Sequence, residues 1–499
     1  MEFVISSNDQ SQPQNTTTLC GFTYSYANEL AECVAKIIPT PVYSPRLVTV
    51  NDELWQLLGL PKEWLEQDNL IGQLFTPDSP LTKLSIAQKY GGHQFGQWNP
   101  MLGDGRGLLL AEVIATDGTK HDLHLKGAGP TPYSRHADGR AVLRSTIREY
   151  LASEAMHHLG IPTSRALCLL TTDEPVYREK QERAAMLIRT APSHLRFGHF
   201  EYYHHNNEPE KLDALFAYAF KHHFPQALKA DNPHLAMLQE VTSATAKMIA
   251  KWQAYGFNHG VMNTDNMSIH GITFDYGPYA FLDDFEPHYI CNRSDHQGRY
   301  RFSAQPSIGL WNLNALGQAF RKYADIPNIT QVLESFEGTL IEHYHELMLR
   351  RLGFTEKTTE ALTCITDFTL LLQETKYDYH LAFRELCGHN SWSEMREVRD
   401  LHVDIAGFDK WFASYRIAVE AQNISFVDLQ MRLSAANPAV VLRNHHAQSV
   451  IAAAEDGDWA PFHKYLAALS DPFSEPVETP HFAAAPDNDV KGIALSCSS

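Results

Sequence analysis

The sequence lacks several patterns that would place it in a common class. Its seven cysteines include no C-x-x-C pair, which argues against a common zinc or thiol-redox spacing and favours a reducing compartment. No run of about 18 apolar residues is present, so we expect no membrane span. The P-loop (G-x-x-x-x-G-K), the nucleophile elbow (G-x-S-x-G) and the metalloprotease motif (H-E-x-x-H) are also missing, which argues against three frequent kinds of catalytic site.

Positive charge is scarce in this chain of 499 residues: 41 Lys and Arg face 59 Asp and Glu, a formal net charge of −18. That surplus repels phosphate backbones and anionic lipids, so we expect neither nucleic-acid nor membrane binding. No Lys or Arg precedes Lys36 and the start has no apolar block, so we expect neither a signal peptide nor a mitochondrial presequence. These features predict a soluble, cytoplasmic protein and leave its oligomeric state open.

Histidine is plentiful, with 26 residues, but its pairs are poor metal chelates. Adjacent residues of a helix point in different directions, so a neighbouring pair does not converge on one ion. We expect these pairs to be structural or surface residues: His157 with His158, His204 with His205, His222 with His223, and His445 with His446.

The order of apolar patterns predicts antiparallel strands with one helix, followed by many helices. Strands are expected over 107–115, 121–127, 165–172, 184–190 and 271–278, and helices over 141–160, 234–256 and much of 310–470. The turn dipeptide Asp117-Gly118 joins the first two strands as a hairpin. This order favours an α+β protein with two lobes over alternating βαβ units.

Two features of the first half are compatible with phosphate binding. In the segment LGDGRG, Gly103, Gly105 and Gly107 would let backbone N–H groups approach a phosphate, and Arg106 adds a cation. Lys126 ends the second strand of the predicted hairpin, and Glu149 lies in the next helix, off its leucine stripe. Protein kinases hold nucleotide phosphates with such a strand lysine and helix glutamate.

Two further features follow in the order expected of a kinase metal site. Asp265 and Asn266 offer a carboxylate and an amide oxygen in the segment NHGVMNTDNMSI, and Asp275 begins Asp-Tyr-Gly, which resembles the D-F-G signature. The kinase catalytic loop H-R-D is not matched, because Val261 follows His259-Gly260. Either the chain is inactive or another carboxylate acts as the base, and Asp265 is the available one.

Two arginines indicate which part of a nucleotide the site would bind. Arg189 ends a predicted strand and Arg196 follows in TAPSHLRFG. Two cations between the lobes suit a pyrophosphate leaving group better than an adenine pocket, although surface ion pairs would explain them equally well.

Long stretches of the chain resemble the selenoprotein O family, also called the YdiU family. The stretches are YGGHQFGQWNPMLGDGRG (90–107), HLKGAGPTPYSRHADGRAVLRSTIREYLASEAMHHLGIPTSRAL (124–167), RTAPSHLRFGHFEYY (189–203) and GVMNTDNMSIHGITFDYGPYAFLDDFEP (260–287). The likeness is densest from about residue 85 to 310.

This resemblance implies a protein-kinase-like (pseudokinase) α+β fold, with a small β-rich N-lobe and a large helical C-lobe that carries extra helices. We accordingly expect a disordered tail over 1–20, the N-terminal segment and N-lobe over 21–200, the C-lobe over 201–470, and an extended tail with Cys497 over 471–499.

The resemblance also implies a protein adenylyltransferase. ATP would bind flipped relative to kinases, and AMP would pass to Ser, Thr or Tyr hydroxyls of target proteins; UMP transfer from UTP is also attributed to bacterial members. Asp265 would accept the proton, Glu149 would pair with Lys126, and Asn266 with Asp275 would bind Mg²⁺ or Mn²⁺. The nucleotide would be held by Gly103, Gly105, Arg106, Lys126, Asp138, Gly139, Arg189, Arg196 and Asp275.

Two other functions stay open from the residues alone. A phosphotransferase would move the γ-phosphate instead, and a nucleotide-binding pseudokinase would act as a scaffold or redox sensor. Cys497 stands third from the end, where some family members carry selenocysteine. We hypothesise that it forms a disulfide with an internal cysteine, and Cys291 is the best candidate, because it lies sixteen residues after Asp275.

Overall fold

The computed structural model describes residues 21–495, apart from the side chains of residues 67 and 68. The expected disordered tail over 1–20 and Cys497 lie outside the described residues. Sheet dominates the first part of the chain and helix the rest, so the protein is α+β.

The strands are β1 (Gly21–Thr23), β2 (Val34–Lys36), β3 (Arg46–Val50), β4 (Ile86–Gln88), β5 (Gly92–Gln94), β6 (Gln97–Asn99), β7 (Gly107–Ile114), β8 (Lys120–Lys126), β9 (Ala141–Val142), β10 (Arg165–Tyr177), β11 (Gln181–Ala191), β12 (Phe257–Asn258) and β13 (Ala280–Phe281).

The helices are α1 (Ser25–Glu29), α2 (Asp52–Leu57), α3 (Gln67–Phe75), α4 (Leu143–His158), α5 (Phe197–His205), α6 (Pro209–His222), α7 (Pro233–Ala254), α8 (Gln305–Gln318), α9 (Ile326–Arg351), α10 (Thr359–Thr375), α11 (Tyr379–Arg384), α12 (Trp392–Arg396), α13 (Ile405–Ala421), α14 (Phe426–Ala436), α15 (Asn444–Glu455) and α16 (Ala460–Ser470).

Within residues 21–495, nine strands form one antiparallel sheet in the order β2-β4-β7-β8-β11-β10-β3, with β1 paired to β7 and β9 to β11. The predicted hairpin is confirmed as β7 and β8, and the predicted helix over 141–160 as α4. Strands β10 and β11 run beyond their predicted ends to the pair Tyr177 and Gln181, because the outer part of this hairpin is polar and gave no apolar pattern.

Both faces of the sheet are covered, which explains the continuous apolar run in β7. Leu108 and Leu110 pack into a core beneath α2 and α3, whereas Leu109 packs into the larger core that contains α4. Successive side chains of a strand point to opposite faces, so a strand buried on both sides needs apolar residues throughout.

The predicted strand over 271–278 is wrong. Thr273 makes only an isolated parallel bridge to Thr163, with its N–H donating to the Pro162 carbonyl at 2.8 Å. Pairing stops there because the backbone of Asp275 turns into the left-handed region (φ 58°), which a strand cannot accommodate.

Helices α15 and α16, near the end of the chain, pack against elements that come much earlier in the sequence. Helices α15 and α16 pack on α4, where the Phe462 and Tyr150 rings lie 5.7 Å apart. Asn444 Nδ2 donates to the Tyr279 carbonyl at 3.1 Å, just after the Asp-Tyr-Gly segment. These helices therefore support two of the elements that carry predicted site residues, α4 and the loop with Asp275. Among the described residues, none of the helices is long and apolar enough to cross a membrane.

Candidate active site

A closed loop carries three of the predicted site residues. Its ends are fixed where β12 pairs with β13, Phe257 opposite Phe281. Between them, Thr264–Asn266 form a single helical turn that presents Asp265 and Asn266. The Asn266 amide nitrogen donates to the Val261 carbonyl at 3.1 Å, which leaves the side-chain oxygen as the atom able to bind a cation.

Asp275 lies at the end of this loop between two arginines. Arg189, from β11, donates to its Oδ1 at 2.5 Å, and Arg196, the residue before α5, donates to its Oδ2. Burial alone would raise the pKa of Asp275, but Arg196 and Arg189 hold it well below its usual value. The carboxylate is therefore ionised at neutral pH.

Lys126 and Glu149 form a buried ion pair, as the sequence predicts. Lys126 ends β8 and Glu149 projects from α4, and the Glu149 carboxylate also accepts from Arg189 at 2.9 Å. Burial lowers the pKa of Lys126 to about 8, against the attraction of Glu149. Burial would raise the pKa of Glu149, but Lys126 and Arg189 hold it below its ordinary value. A chain of alternating charges thus links α4 to Asp275.

Asp265 has the properties of a proton acceptor. Burial raises its pKa to about 7, with Arg196 opposing the rise and Asp275 adding to it. Its Oδ1 is buried and has no hydrogen-bond partner among the described residues. Its backbone carbonyl accepts from Arg196 at 2.7 Å, which fixes the residue beside Asp275. A carboxylate poised near neutrality can accept a proton from a substrate hydroxyl.

The glycine-rich loop, the segment LGDGRG at 102–107, packs against the segment after β8. A Cβ at Gly103 would lie 2.6 Å from the Tyr133 ring, and one at Gly105 would lie 2.9 Å from the Tyr133 carbonyl oxygen. Only glycine fits such approaches, so the loop stays close-packed with its Arg106 side chain exposed.

Asp138 is engaged by an arginine that the sequence analysis missed. Arg178, in the turn between β10 and β11, donates to both Asp138 oxygens at 2.8 Å. Asp138 Oδ1 also accepts from the Arg140 N–H at 2.9 Å, which orders the turn at Gly139. No spacing in the sequence indicates this pairing, because it joins residues forty positions apart.

These elements surround one cleft of about 610 Å³. The predicted residues that line it are Gly103, Gly105, Arg106, Lys126, Asp138, Gly139, Arg189, Arg196, Asp265, Asn266 and Asp275. Glu149 lies behind Lys126 as its ion-pair partner. The volume is typical of a site for a small-molecule ligand such as a nucleotide.

The cleft also contains residues that the sequence analysis left out. Asp104 is buried within LGDGRG, where it accepts from the Gln88 N–H at 3.0 Å and the Tyr90 hydroxyl at 3.2 Å. His124 Nε2 lies 3.4 Å from its carboxylate. Asp104 therefore anchors the glycine-rich loop, and its position between two glycines was the signal that could have found it.

The donor atoms fit a hard divalent cation. Asp275 supplies an ionised carboxylate and Asn266 an amide oxygen, the ligands that Mg²⁺ and Mn²⁺ prefer. Among residues 21–495, no cysteine lines the cleft, which further favours a hard cation over a soft one.

Comparison with known proteins gives consistent results over nearly the whole chain. A family model described as "Protein adenylyltransferase SelO" matches residues 18–470. "Protein nucleotidyltransferase YdiU" of Pseudoalteromonas atlantica (strain T6c / ATCC BAA-1087) is 53% identical over 476 residues, 95% of this chain and 99% of the relative. The protein of the same name from Ectopseudomonas mendocina (strain ymp) is 48% identical over 466 residues, 93% and 96% of the two chains. That from Salmonella paratyphi A (strain ATCC 9150 / SARB42) is 45% identical over 480 residues, 96% and 99%.

Proposed function

Because the chain belongs to the SelO family of protein adenylyltransferases, we propose that it transfers AMP from ATP to Ser, Thr or Tyr hydroxyls of target proteins and releases pyrophosphate. The observation that carries this proposal is the cluster of cations around Asp275. Arg189 and Arg196 bind its two oxygens, and Lys126 is linked to Arg189 through Glu149, which pairs with both.

The fold that we propose is kinase-like. A sheet region carries a Lys126–Glu149 pair between a strand and a helix, and a helical region carries the loop with Asn266 and Asp275. In kinases the same two parts hold the phosphates and the metal ions. We accordingly assign residues 21–200 to an N-lobe and 201–470 to a C-lobe, in a cytoplasmic protein.

In the proposed reaction the chain contributes charge and position. Lys126, Arg189 and Arg196 neutralise the departing pyrophosphate, and Arg106 reaches the cleft from the glycine-rich loop. Transfer of a phosphorus group needs little covalent help from the protein, so such electrostatic positioning supplies most of the rate. A nucleotide flipped relative to kinases places its α-phosphate, not its γ-phosphate, at the acceptor.

The proton of the acceptor hydroxyl passes to Asp265. This residue takes the place of the kinase base, since Val261 stands in the corresponding loop position and cannot accept a proton. Asn266 and Asp275 would hold Mg²⁺ or Mn²⁺, which would offset charge on the nucleotide phosphates.

A label-transfer assay tests the proposal. The full-length protein is incubated with Mg²⁺ or Mn²⁺, a general protein acceptor, and ATP labelled at either the α- or the γ-phosphate; labelled UTP forms a third arm. We expect protein-bound label from the α position only, lost in Asp275→Ala. Label from γ alone would show a kinase, and bound ATP without any label would favour a scaffold. Stronger labelling from UTP than from ATP would show that the protein transfers UMP in preference to AMP.

A further inference from the structure

A second group of ligand-type side chains lies beside the cleft. His93 is the middle residue of β5, in the short β5–β6 hairpin, and Glu201 and His205 belong to α5. Glu201 and His205 are four positions apart, so they share one face of the helix and point toward the hairpin together. None of the three lines the nucleotide cleft.

The geometry of this group suits one metal ion. One ligand atom from each of His93, Glu201 and His205 lies within 4.8 Å of the other two. His93 Nδ1 and Glu201 Oε2 are 2.5 Å apart. Two imidazoles and a carboxylate form a donor set that zinc uses in sites that keep a further position for water.

The buried environment of the Glu201 carboxylate favours binding of a cation. Its side chain is fully buried, with 0% exposed, and its Oε1 has no hydrogen-bond partner within residues 21–495. An ionised carboxylate is costly to bury unless it is paired or binds a metal. His93 pairs with one oxygen only, so the second remains available.

The surroundings are those of a formed site with one open side. The Trp98 ring lies 4.3 Å from the His205 ring, and the Trp311 ring lies 5.3 Å from the His93 ring. These aromatic walls hold the imidazoles in place. His205 is exposed, which gives an ion a path from solvent.

We propose that His93, Glu201 and His205 bind a divalent transition-metal ion of the zinc class, at a site separate from that of Asn266 and Asp275. The two sites select different ions, because one offers imidazole nitrogens and the other only oxygens.

The bound ion joins two elements that position the loop carrying Asp265. The His93 N–H donates to Thr264 Oγ1 at 2.7 Å, next to Asp265. Helix α5, which supplies the other two ligands, begins directly after Arg196. The ion therefore holds the hairpin and α5 together on either side of Asp265 and acts as a positioning device, not as a catalytic group.

Metal binding is measured on full-length protein without a histidine tag, stripped with a chelator and held free of nucleotide. All proteins carry Asp275→Ala, which removes the other metal site. We expect one equivalent of Zn²⁺ by elemental analysis, and visible d–d bands when Co²⁺ is added instead. His205→Ala and His93→Ala should weaken Zn²⁺ binding at least about tenfold. The matched control is His204→Ala, the neighbouring histidine outside the group, which should bind Zn²⁺ as the parent does.

Thermal unfolding supplies a second measurement. The parent is the protein that carries Asp275→Ala alone. Zn²⁺ should raise its Tm by several degrees, because an ion that binds the folded state stabilises that state. The Tm of His205→Ala should not change, because this variant lacks a ligand of the site. Because His205 is exposed, its replacement should not impair folding, and an unchanged Tm without metal verifies this. Equal Zn²⁺ affinity in the parent and His205→Ala, or no stoichiometric binding by the parent, would overturn the proposal. Neither measurement uses AMP transfer as its readout, so failure of this proposal can be told apart from failure of the proposed function.

Discussion

Arg196 donates directly to Oδ2 of Asp275, the carboxylate that the proposed function assigns to the metal ion. Arg189 occupies the other oxygen at 2.5 Å. The arginines therefore neutralise the same carboxylate that a cation would use. Nucleotide phosphates attract these arginines too, so binding of the nucleotide and of the metal ion should be coupled.

Removing Arg196 should strengthen metal binding at Asp275 in the absence of nucleotide. We expect Arg196→Gln to bind Mn²⁺ at least about tenfold more tightly, because one competing charge in contact with the carboxylate is gone. Its affinity for ATP should fall. Electron paramagnetic resonance of free Mn²⁺ measures the first effect, with binding that persists in Asp275→Ala subtracted.

The control is Arg178→Gln, since Arg178 lines the same cleft but pairs with Asp138. It removes the same charge without freeing Asp275. Equal Mn²⁺ affinities in both variants would mean that contact with Asp275 is irrelevant and that only net charge matters.

Asp265 should impose a rising pH dependence on transfer. Its pKa is about 7, so below that value the carboxyl is protonated and cannot accept the hydroxyl proton. We expect kcat/KM to fall as pH decreases through about 7. Asp265→Asn should lose activity by about 10²–10⁴-fold and lose this dependence as well. A variant profile that keeps the rise would assign the proton acceptor elsewhere.

Lys126 should make transfer activity decline at alkaline pH, opposite to the effect expected of Asp265. Burial lowers its pKa to about 8, so the ammonium loses its proton, and with it its attraction for phosphate, above that pH. We expect activity to decline as pH rises through about 8. Lys126→Arg keeps its charge to far higher pH. Whatever activity this variant retains should show no alkaline decline, which a pH profile measured from 7 to about 10 can establish.

Part of the candidate site could be predicted from local patterns, whereas Asp138 and Gly139 were expected there only from the family resemblance. The Asp117-Gly118 turn fixed the hairpin that ends at Lys126, and the i,i+4 leucine pattern of α4 placed Glu149 on another face. Asn266 and Asp275 are only nine positions apart in the chain, so placing both in one site needed no knowledge of long-range packing.

The features of the site and fold that could not be predicted depend on tertiary contacts, which leave no periodic pattern in the sequence. The pairing of Asp138 with Arg178 and the approach of His93 to Glu201 join segments far apart in the chain. Similarly, α15 and α16 gave a plain helical pattern, and only packing showed that they brace α4. The missing strand at Thr273 reflects a backbone turn at Asp275 that apolar spacing does not encode.

Gly139 should not tolerate alanine. Its φ is 67° and an added Cβ would lie 2.0 Å from the Gly129 carbonyl oxygen. The left-handed backbone alone costs about 1–2 kcal/mol for a non-glycine residue, and the clash must displace the cleft wall. We expect Gly139→Ala to lower stability by more than this and to raise KM for ATP several-fold. Gly160→Ala is the control that separates the cost of the left-handed backbone from the cost of the clash. Gly160 also has a positive φ, 72°, but the space around it is open. Equal Tm losses in both variants would show that the clash is relieved without cost.

The chain near its end lies beside Cys291. Leu495 pairs with Asn292 in a parallel bridge, its N–H donating to the Cys291 carbonyl at 2.9 Å. The Cys291 Sγ lies 2.9 Å from the Pro278 carbonyl, three residues after Asp275. Cys497, outside the described residues, follows Leu495 by two positions, a span of at most about 7 Å.

We therefore expect Cys497 to form a disulfide with Cys291 in oxidised protein. Such a bond would tie the chain end to the wall of the loop that carries Asp275 and limit its movement. Peptide mapping without reductant should yield one cross-linked peptide containing both residues, absent after Cys497→Ser and retained after Cys20→Ser. Transfer activity with and without reductant should then differ in the parent and be equal in Cys497→Ser. Recovery of Cys497 only as a free thiol from fully oxidised protein would refute this pairing and leave the tail without a covalent link to the site.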